Sequence, residues 1–198
     1  MSLNTSSQSG AASEFRACAV LYDSVALESI IDRMAQQAAC LLRDGPPLVV
    51  VGVRRRGAPL ADRLTQRLVE HHGMASPWRL DLAVKRYADD LTLLHPDTAL
   101  IEDARLAELD VSQHTLLVVD DVLYQGHSVL RVVEYLARKR PAAIRVAVLA
   151  DRCVAALPVR ADIVGVRLEV APGHIVDCHV PPFEPDFSIQ LVVPSPSA

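Results

Sequence analysis

The chain has 198 residues, of which 51% are hydrophobic but only 4% are aromatic, and its formal net charge is −4. This length suits one α/β domain with a substantial core and is short for two ordinary domains. The negative net charge argues against a protein whose main role is to neutralise a long stretch of nucleic acid backbone.

The cysteines and the amino-terminal segment indicate in which cellular compartment we expect the protein. The four cysteines are widely separated, with no C-x-x-C pair, and this spacing disfavours a disulfide framework or a structural zinc site. Residues 1–16 lack the basic start and apolar run of a signal peptide, and no apolar stretch is long enough to span a bilayer. We therefore expect a reduced, soluble, cytoplasmic protein with no membrane partner.

Helix and strand signals alternate along the chain. The helical segments carry apolar residues every three or four positions and end at Gly or Pro, whereas the strands are runs rich in Val, Leu and Ile. In chain order the predicted elements are a helix from Asp23 or Ser24 to the Gly45-Pro46-Pro47 stop, a strand at 48–53, a helix at 58–70, strands at 78–84 and 115–119, a helix at 129–139, strands at 144–149 and 161–166, and an apolar run at 189–193 that pairs at a sheet edge. This order predicts an α/β fold, with a doubly wound, mainly parallel sheet and helices on both faces.

Residues 85–113 interrupt the alternation. They are polar, charged and irregular, and a segment of this length without regular structure in a compact domain is usually functional. We expect a single domain over residues 17–193 in which this segment forms a flexible hood, with disordered tails over 1–16 and 194–198. A surface loop with no functional role is the alternative interpretation.

Two adjacent acids follow the predicted strand 115–119. Neighbouring carboxylates repel each other unless a cation or hydroxyl groups use them, and Asp120 and Asp121 are suited to accept hydrogen bonds from vicinal ribose hydroxyls. A few residues later, Gly126-His127-Ser128 begins a helix whose free N–H groups and positive dipole end favour a phosphate. Together these features predict a cradle for a ribose 5-phosphate. The alternative is an ordinary strand–turn–helix with solvated acids.

The run LVVDDVLYQGHS, residues 117–128, resembles the phosphoribosyl diphosphate motif of type I phosphoribosyltransferases. Within that family it is most similar to the bifunctional pyrimidine operon regulatory protein/uracil phosphoribosyltransferases. Further stretches resemble the same group in order and spacing: VGVRRRG at 51–57, DDL at 89–91 and AVLADR at 147–152. The resemblance covers roughly residues 20–168.

The resemblance implies transfer of ribosyl phosphate from phosphoribosyl diphosphate to a pyrimidine base, expected to be uracil, with release of pyrophosphate and assistance from Mg²⁺. It implies Asp120, Asp121 and Arg56 as catalytic residues, with the two acids also holding hydrated Mg²⁺ indirectly. The implied substrate-binding residues are Arg54, Arg55, Gly57, Arg86, Tyr124, Gln125, Gly126, His127, Ser128, Arg152, Val166 and Arg167. Guanidinium groups suit bidentate phosphate contacts, although Arg54–Arg56 could also be a solvated basic turn. A homodimer or higher homo-oligomer is implied as well.

Several residues depart from the family pattern. Gln125 and His127 stand where the family has threonine and arginine, and Val166-Arg167 stands where it has lysine and asparagine. Three functions therefore remain open. The chain is a pyrimidine phosphoribosyltransferase, or a nucleotide-responsive regulator that binds messenger RNA, or a non-catalytic homologue that binds phosphoribosyl diphosphate or a nucleotide as a scaffold. The negative net charge gives the RNA-binding hypothesis little support.

The carboxy-terminal segment holds His174, Asp177, Cys178 and His179, which invites a metal-site interpretation. On a strand, however, residues 177 and 179 share one face while residue 178 points to the other. We therefore interpret this group as part of a strand and not as a metal cluster.

Overall fold

The computed structural model describes residues 15–83, 101–102 and 109–194. Its strands are β1 (Phe15–Tyr22), β2 (Leu48–Arg54), β3 (Trp78–Ala83), β4 (Ile101–Glu102), β5 (Thr115–Leu123), β6 (Ala143–Asp151), β7 (Ile163–Arg167), β8 (Ile175–His179) and β9 (Ser188–Pro194). Its helices are α1 (Ser24–Leu42), α2 (Gly57–Glu70) and α3 (His127–Ala137). Most of the predicted hood, and both predicted tails apart from residues 15–16 and 194, lie outside the described residues.

Six strands form the main sheet, in the order β4-β3-β2-β5-β6-β7. All neighbouring pairs are parallel except β3 and β4. Helices α1 and α2 pack on one face, where Val50 and Leu117 are buried, and α3 packs on the other, where Val51 and Val118 are buried. The predicted doubly wound, mainly parallel α/β fold is therefore confirmed.

The helices approach the sheet closely. Asp23 caps α1, because its Oδ1 accepts a hydrogen bond from the N–H of Ala26 at 2.9 Å. At Gly165 in β7, an added Cβ would lie 2.5 Å from the carbonyl oxygen of Leu149 and 2.9 Å from Cγ2 of Ile30 in α1. Only a residue without a side chain allows α1 to pack at this distance.

A second sheet of three antiparallel strands, β1-β9-β8, is formed by segments from near the two ends of the sequence. Two predictions are corrected by it. Phe15 and Arg16 belong to β1 and not to a tail, and the apolar run at 189–193 lies in the central strand of this sheet and not at a sheet edge. The register joins Phe15 to Pro194, so these strands depend on a partner far away in sequence that local patterns do not reveal.

Strand β5 is longer than predicted and contains both acids. Its partner β2 pairs with it only as far as Val119, but β6 continues to pair with Asp120, Val122 and Leu123. The strand therefore extends through Leu123 instead of ending at Val119, and the two carboxylates project from a fixed backbone and not from a turn. No helix in the described part of the chain is long and apolar enough to cross a membrane.

Candidate functional site

A cleft of about 340 Å³ lies at the carboxyl ends of β2 and β5, where β8 of the small sheet faces them. The carboxyl ends of parallel strands are the usual place for a ligand in this class of sheet. The cleft is lined by Val53, Arg54, Arg56, Asp120, Asp121, Val122, Tyr124, Ser128, Ile175, Val176 and Asp177. It brings together six of the predicted site residues and adds three residues of β8 that sequence reasoning had not assigned to the site.

The two acids of β5 are almost fully buried. Asp120 is 7% exposed and Asp121 is 6% exposed. Asp120 Oδ1 accepts a hydrogen bond from the N–H of Asp121 at 2.9 Å, and Asp121 Oδ1 accepts one from the N–H of Val122 at 3.0 Å. These backbone contacts fix the carboxylates and offset part of their mutual repulsion.

Gly57 brings the start of α2 against the same strand. A Cβ at this position would lie 2.4 Å from the carbonyl oxygen of Val119 and 3.1 Å from Cα of Asp120. The absence of a side chain therefore lets the preceding residue, Arg56, reach the acids. The role predicted for Gly57 was substrate binding, whereas its visible contribution is this close packing.

Arg56 is surrounded by three carboxylates. Its Nη2 and Nε lie 2.6 Å and 3.0 Å from Glu184 Oε1, and its Nη1 lies 2.8 Å from Asp177 Oδ1 and 3.7 Å from Asp121 Oδ2. Burial alone would lower the pKa of Arg56, but the hydrogen bond that it donates to Glu184 and the charges of Asp177 and Asp121 outweigh burial and raise the pKa. The guanidinium therefore stays charged.

The contact with Arg56 also shifts the pKa of Glu184. Burial would raise its pKa, but the hydrogen bond from Arg56 and a second one from the N–H of Val180 lower it below the ordinary value of 4.5. Because the folded-state pKa is lowered, this pair stabilises the fold above pH 4.5, and the stabilisation is lost as the pH falls through the lowered pKa. Glu184 and Asp177 were both missed as site residues by sequence reasoning.

A smaller cavity of about 180 Å³ adjoins the cleft and is lined entirely by residues 122–129. Gly126 adopts the left-handed conformation with φ of 89°, and α3 begins immediately after it with no side chain capping its first N–H groups. The side chains of His127 and Ser128 are exposed. Free backbone N–H groups at a helix start, next to a hydroxyl, are typical of a phosphate site.

Residues 152–156, which follow β6, donate hydrogen bonds to the backbone of residues 123–125. The N–H of Ala156 donates to the carbonyl oxygen of Gln125 at 3.1 Å, and the N–H of Arg152 donates to that of Leu123 at 2.9 Å. Arg152 is 6% exposed, and its Cζ lies 5.0 Å from the centre of the Tyr124 ring. Arg152 is therefore next to the cleft through Tyr124, although it is not among the residues that line the cleft.

Other predicted residues lie further from the cleft. Val166 is only 8% exposed and belongs to the core, while Arg167 is on the surface at the end of β7; neither lines the cleft. Arg55 is exposed, with its Cζ 5.1 Å from the ring of Phe183. Arg86 lies outside the described residues.

The one acid and the one histidine of β8, Asp177 and His179, belong to a polar network. Asp177 contacts Arg56 through Oδ1, and its Oδ2 lies 3.2 Å from Nε2 of His179. Nδ1 of the same histidine lies 3.1 Å from Oδ1 of Asp186. A hydrogen bond from Ser188, and then one from His179, lower the pKa of Asp186. Cys178 points into the core, and burial raises the pKa of its thiol. Within residues 15–83, 101–102 and 109–194, no three His, Cys, Asp or Glu side chains are arranged to hold a metal ion.

Comparison with known proteins identifies relatives over most of the chain. A family profile described as "Phosphoribosyl transferase domain" matches residues 19–182. The "Bifunctional protein PyrR" of Clostridium acetobutylicum is 30% identical over 175 residues, covering 87% of this chain and 96% of the relative. The protein of the same name from Brevibacillus brevis is 33% identical over 159 residues, covering 80% of this chain and 87% of the relative.

The solved structures of similar fold are also phosphoribosyltransferases. The hypoxanthine phosphoribosyltransferase of Trypanosoma cruzi has a TM-score of 0.70 at 17% identity and covers 90% of this chain and 98% of its own. That of Staphylococcus aureus has a TM-score of 0.66 at 18% identity and covers 80% of this chain and 81% of its own. At such identities the likeness shows the fold alone. The fold, the family profile and the sequence relatives together show that the chain belongs to the type I phosphoribosyltransferase family.

Proposed function

We propose that this phosphoribosyltransferase converts a pyrimidine base, uracil in the first place, and phosphoribosyl diphosphate to the nucleoside monophosphate and pyrophosphate. The observation that carries the proposal is the adjacency of two cavities. The acid-lined cleft and the amide-lined cavity share Val122, Tyr124 and Ser128 on their walls. Paired carboxylates beside an anion site fit a sugar with a diol in its middle and a phosphate at its end.

The diphosphate of the substrate needs positive charge nearby. In our proposal Arg54, which lines the cleft, and its exposed neighbour Arg55 contact the diphosphate, because guanidinium groups bind phosphate oxygens in a bidentate manner. The reacting sugar carbon acquires oxocarbenium character as the diphosphate leaves, by analogy with glycosyl transfer. Asp120 and Asp121 would hold the ribose hydroxyls in place during that change.

The donors in the cleft also fit Mg²⁺. Carboxylate oxygens are hard ligands, and Mg²⁺ is commonly held by one or two carboxylates together with substrate phosphates and water. Asp120 and Asp121 supply such oxygens, and the cleft has an excess of acids over bases, with three Asp and two Arg on its walls. When bound, the ion would neutralise charge on the diphosphate. The two acids would hold it, indirectly through its water molecules.

A turnover assay tests the proposal directly. The purified 198-residue chain would be incubated with phosphoribosyl diphosphate and Mg²⁺ and with each common base in turn, and pyrophosphate release would be measured. We expect release with uracil and little with purines. If no base gives pyrophosphate but calorimetry detects binding of phosphoribosyl diphosphate, the chain is the non-catalytic homologue, and if neither is seen the proposal is wrong.

A pyrimidine-regulatory role through RNA is the second candidate. Its support is the name of the relatives, which are called bifunctional, and the consecutive basic residues Arg138, Lys139 and Arg140 after α3. Such a role needs a larger basic surface, which we propose is formed by a homodimer or higher homo-oligomer. Light scattering would give the oligomeric state. Salt-dependent binding to pyrimidine leader RNA in the presence of uridine monophosphate, compared with scrambled RNA, would test the second role.

His127 offers a variant that should gain affinity. His127→Arg places a permanent charge beside the amide-lined cavity, so we expect phosphoribosyl diphosphate to bind about three- to tenfold more tightly, as charge-assisted hydrogen bonds to phosphate are stronger than neutral ones. Calorimetry with Mg²⁺ measures this. His71→Arg, on the surface at the end of α2, is the control and should leave binding unchanged. Equal or weaker binding by His127→Arg would mean that the substrate phosphate lies elsewhere.

A further inference from the structure

The Arg56 side chain already uses all three of its nitrogens within the protein. Nε and Nη2 donate to Glu184 Oε1 at 3.0 Å and 2.6 Å, and Nη1 donates to Asp177 Oδ1 at 2.8 Å. The third carboxylate, Asp121, lies 3.7 Å from the same Nη1. The planar fork that would suit a diphosphate is therefore engaged by protein carboxylates.

The two main partners are themselves held in place. Glu184 Oε2 accepts a hydrogen bond from the N–H of Val180 at 2.9 Å, and Asp177 Oδ2 lies 3.2 Å from His179 Nε2. Asp177 lies on β8 and Glu184 in the turn that follows it. Arg56 therefore joins the loop between β2 and α2 to the small sheet.

Moving Arg56 onto a diphosphate would be costly. The side chains of Arg56 and Glu184 are 21% and 15% exposed, so breaking their pair would leave a carboxylate without its cation in a mostly buried position. Removing one partner of a buried ion pair is strongly unfavourable because the remaining charge is neither paired nor solvated. A diphosphate in the cleft would have to overcome this cost as well as the nearby negative charges.

We propose that Asp177 and Glu184 are positioning residues that hold Arg56 beside Asp121, and that Arg56 does not itself bind the diphosphate. Arg56 keeps Asp121 oriented towards its ligand, while the diphosphate is left to Arg54 and Arg55. This inference rests on the proposed function of the cleft. It replaces the expectation from sequence that Arg56 contacts the reacting group.

The test is the double variant Asp177→Asn, Glu184→Gln, which keeps both side-chain shapes and removes both charges. The dissociation constant for phosphoribosyl diphosphate with Mg²⁺ would be measured by calorimetry, with the fold checked by circular dichroism. We expect binding to weaken by about tenfold, because neutral amides accept weaker hydrogen bonds from the guanidinium than carboxylates do. The double variant Glu28→Gln, Asp32→Asn is the matched control, because these two carboxylates of α1 hold Arg67 of α2 at 2.8 Å and 2.6 Å and do not line the cleft. It should change binding by less than about twofold.

A second experiment distinguishes a positioning role of Glu184, exerted through Arg56, from a general effect of Glu184 on stability. Glu184→Gln alone would be compared in the wild type and in Arg56→Lys, whose compact charge cannot form the same fork. If Glu184 acts through Arg56, its effect on binding should largely disappear in the Arg56→Lys background. Equal effects in both backgrounds would overturn the inference, and this single variant also serves if the double variant does not fold.

Three further results would contradict the inference. Unchanged binding by the double variant, with normal binding by the wild type, would refute the positioning role and leave the proposed function intact. Tighter binding would show that the two carboxylates compete with the diphosphate for Arg56. Absence of binding by the wild type would refute both proposals together.

Discussion

Replacing Asp121 by asparagine is expected to reduce kcat/KM for pyrophosphate formation by about a thousandfold, with little change in fold. The substitution keeps the shape of the side chain and its hydrogen bond with the N–H of Val122, but removes the charge beside Arg56. Loss of one preorganised electrostatic contact in an active site commonly costs about a hundred- to a thousandfold. Because this carboxylate would also hold Mg²⁺, we expect the upper end of that range.

Steady-state kinetics with phosphoribosyl diphosphate and uracil would measure the change. Asp62→Asn, on the exposed side of α2, removes one acid of the same type away from the cleft and should retain wild-type activity. If Asp121→Asn retained more than about a tenth of the activity, the acid would not be part of the reaction, and a loss of circular dichroism signal would instead indicate a structural role.

Replacing Gly57 by alanine is expected to lower the free energy of unfolding by about 3 kcal/mol, the upper range for overpacking a tightly packed site. The added Cβ would meet the carbonyl oxygen of Val119 at 2.4 Å, and backbone on a central strand cannot move aside cheaply. The start of α2 must therefore shift, and Arg56 shifts with it. We expect binding of phosphoribosyl diphosphate to weaken in the same variant.

Urea unfolding measures the first effect and calorimetry the second. Gly45→Ala is the matched control, since its Cβ would meet no described atom closer than the carbonyl oxygen of Leu42 at 3.4 Å, an ordinary contact. That variant should change stability by less than about 1 kcal/mol. If both variants were equally stable, the packing of α2 on β5 would be looser than the structure indicates.

The main sheet and its helices could be predicted because their signals are local. The all-apolar run of β2 and the helical spacing of α1 each lie within one segment, and their bounds differ from prediction by only one or two residues. The end of β5 was misjudged because acids usually end a strand. Here β6 continues to supply hydrogen bonds as far as Leu123, and no pattern within the segment reports that partner.

The site residues likewise fall into those with a local sequence signal and those without one. Asp120 and Asp121 were identified as site residues because they lie in one continuous motif with the phosphate loop. Asp177 and Glu184 were not, because their relation to Arg56 arises only when the small sheet closes over the cleft. Val166 was assigned from the resemblance to a base-binding stretch, yet the structure buries it in the same core cluster as the apolar residues of α1.

Because β1 pairs with β9, all the residues between them must leave the ribosome before β1 finds its partner. Strands β2 and β3 and the helix between them are neighbours in sequence and can assemble much earlier, since short-range contacts form faster than long-range ones. The growing chain would therefore carry an unanchored Arg56, and later the pair of acids as well, until Asp177 and Glu184 have been made. Ligand affinity should then be acquired in one late step, when the final segment docks.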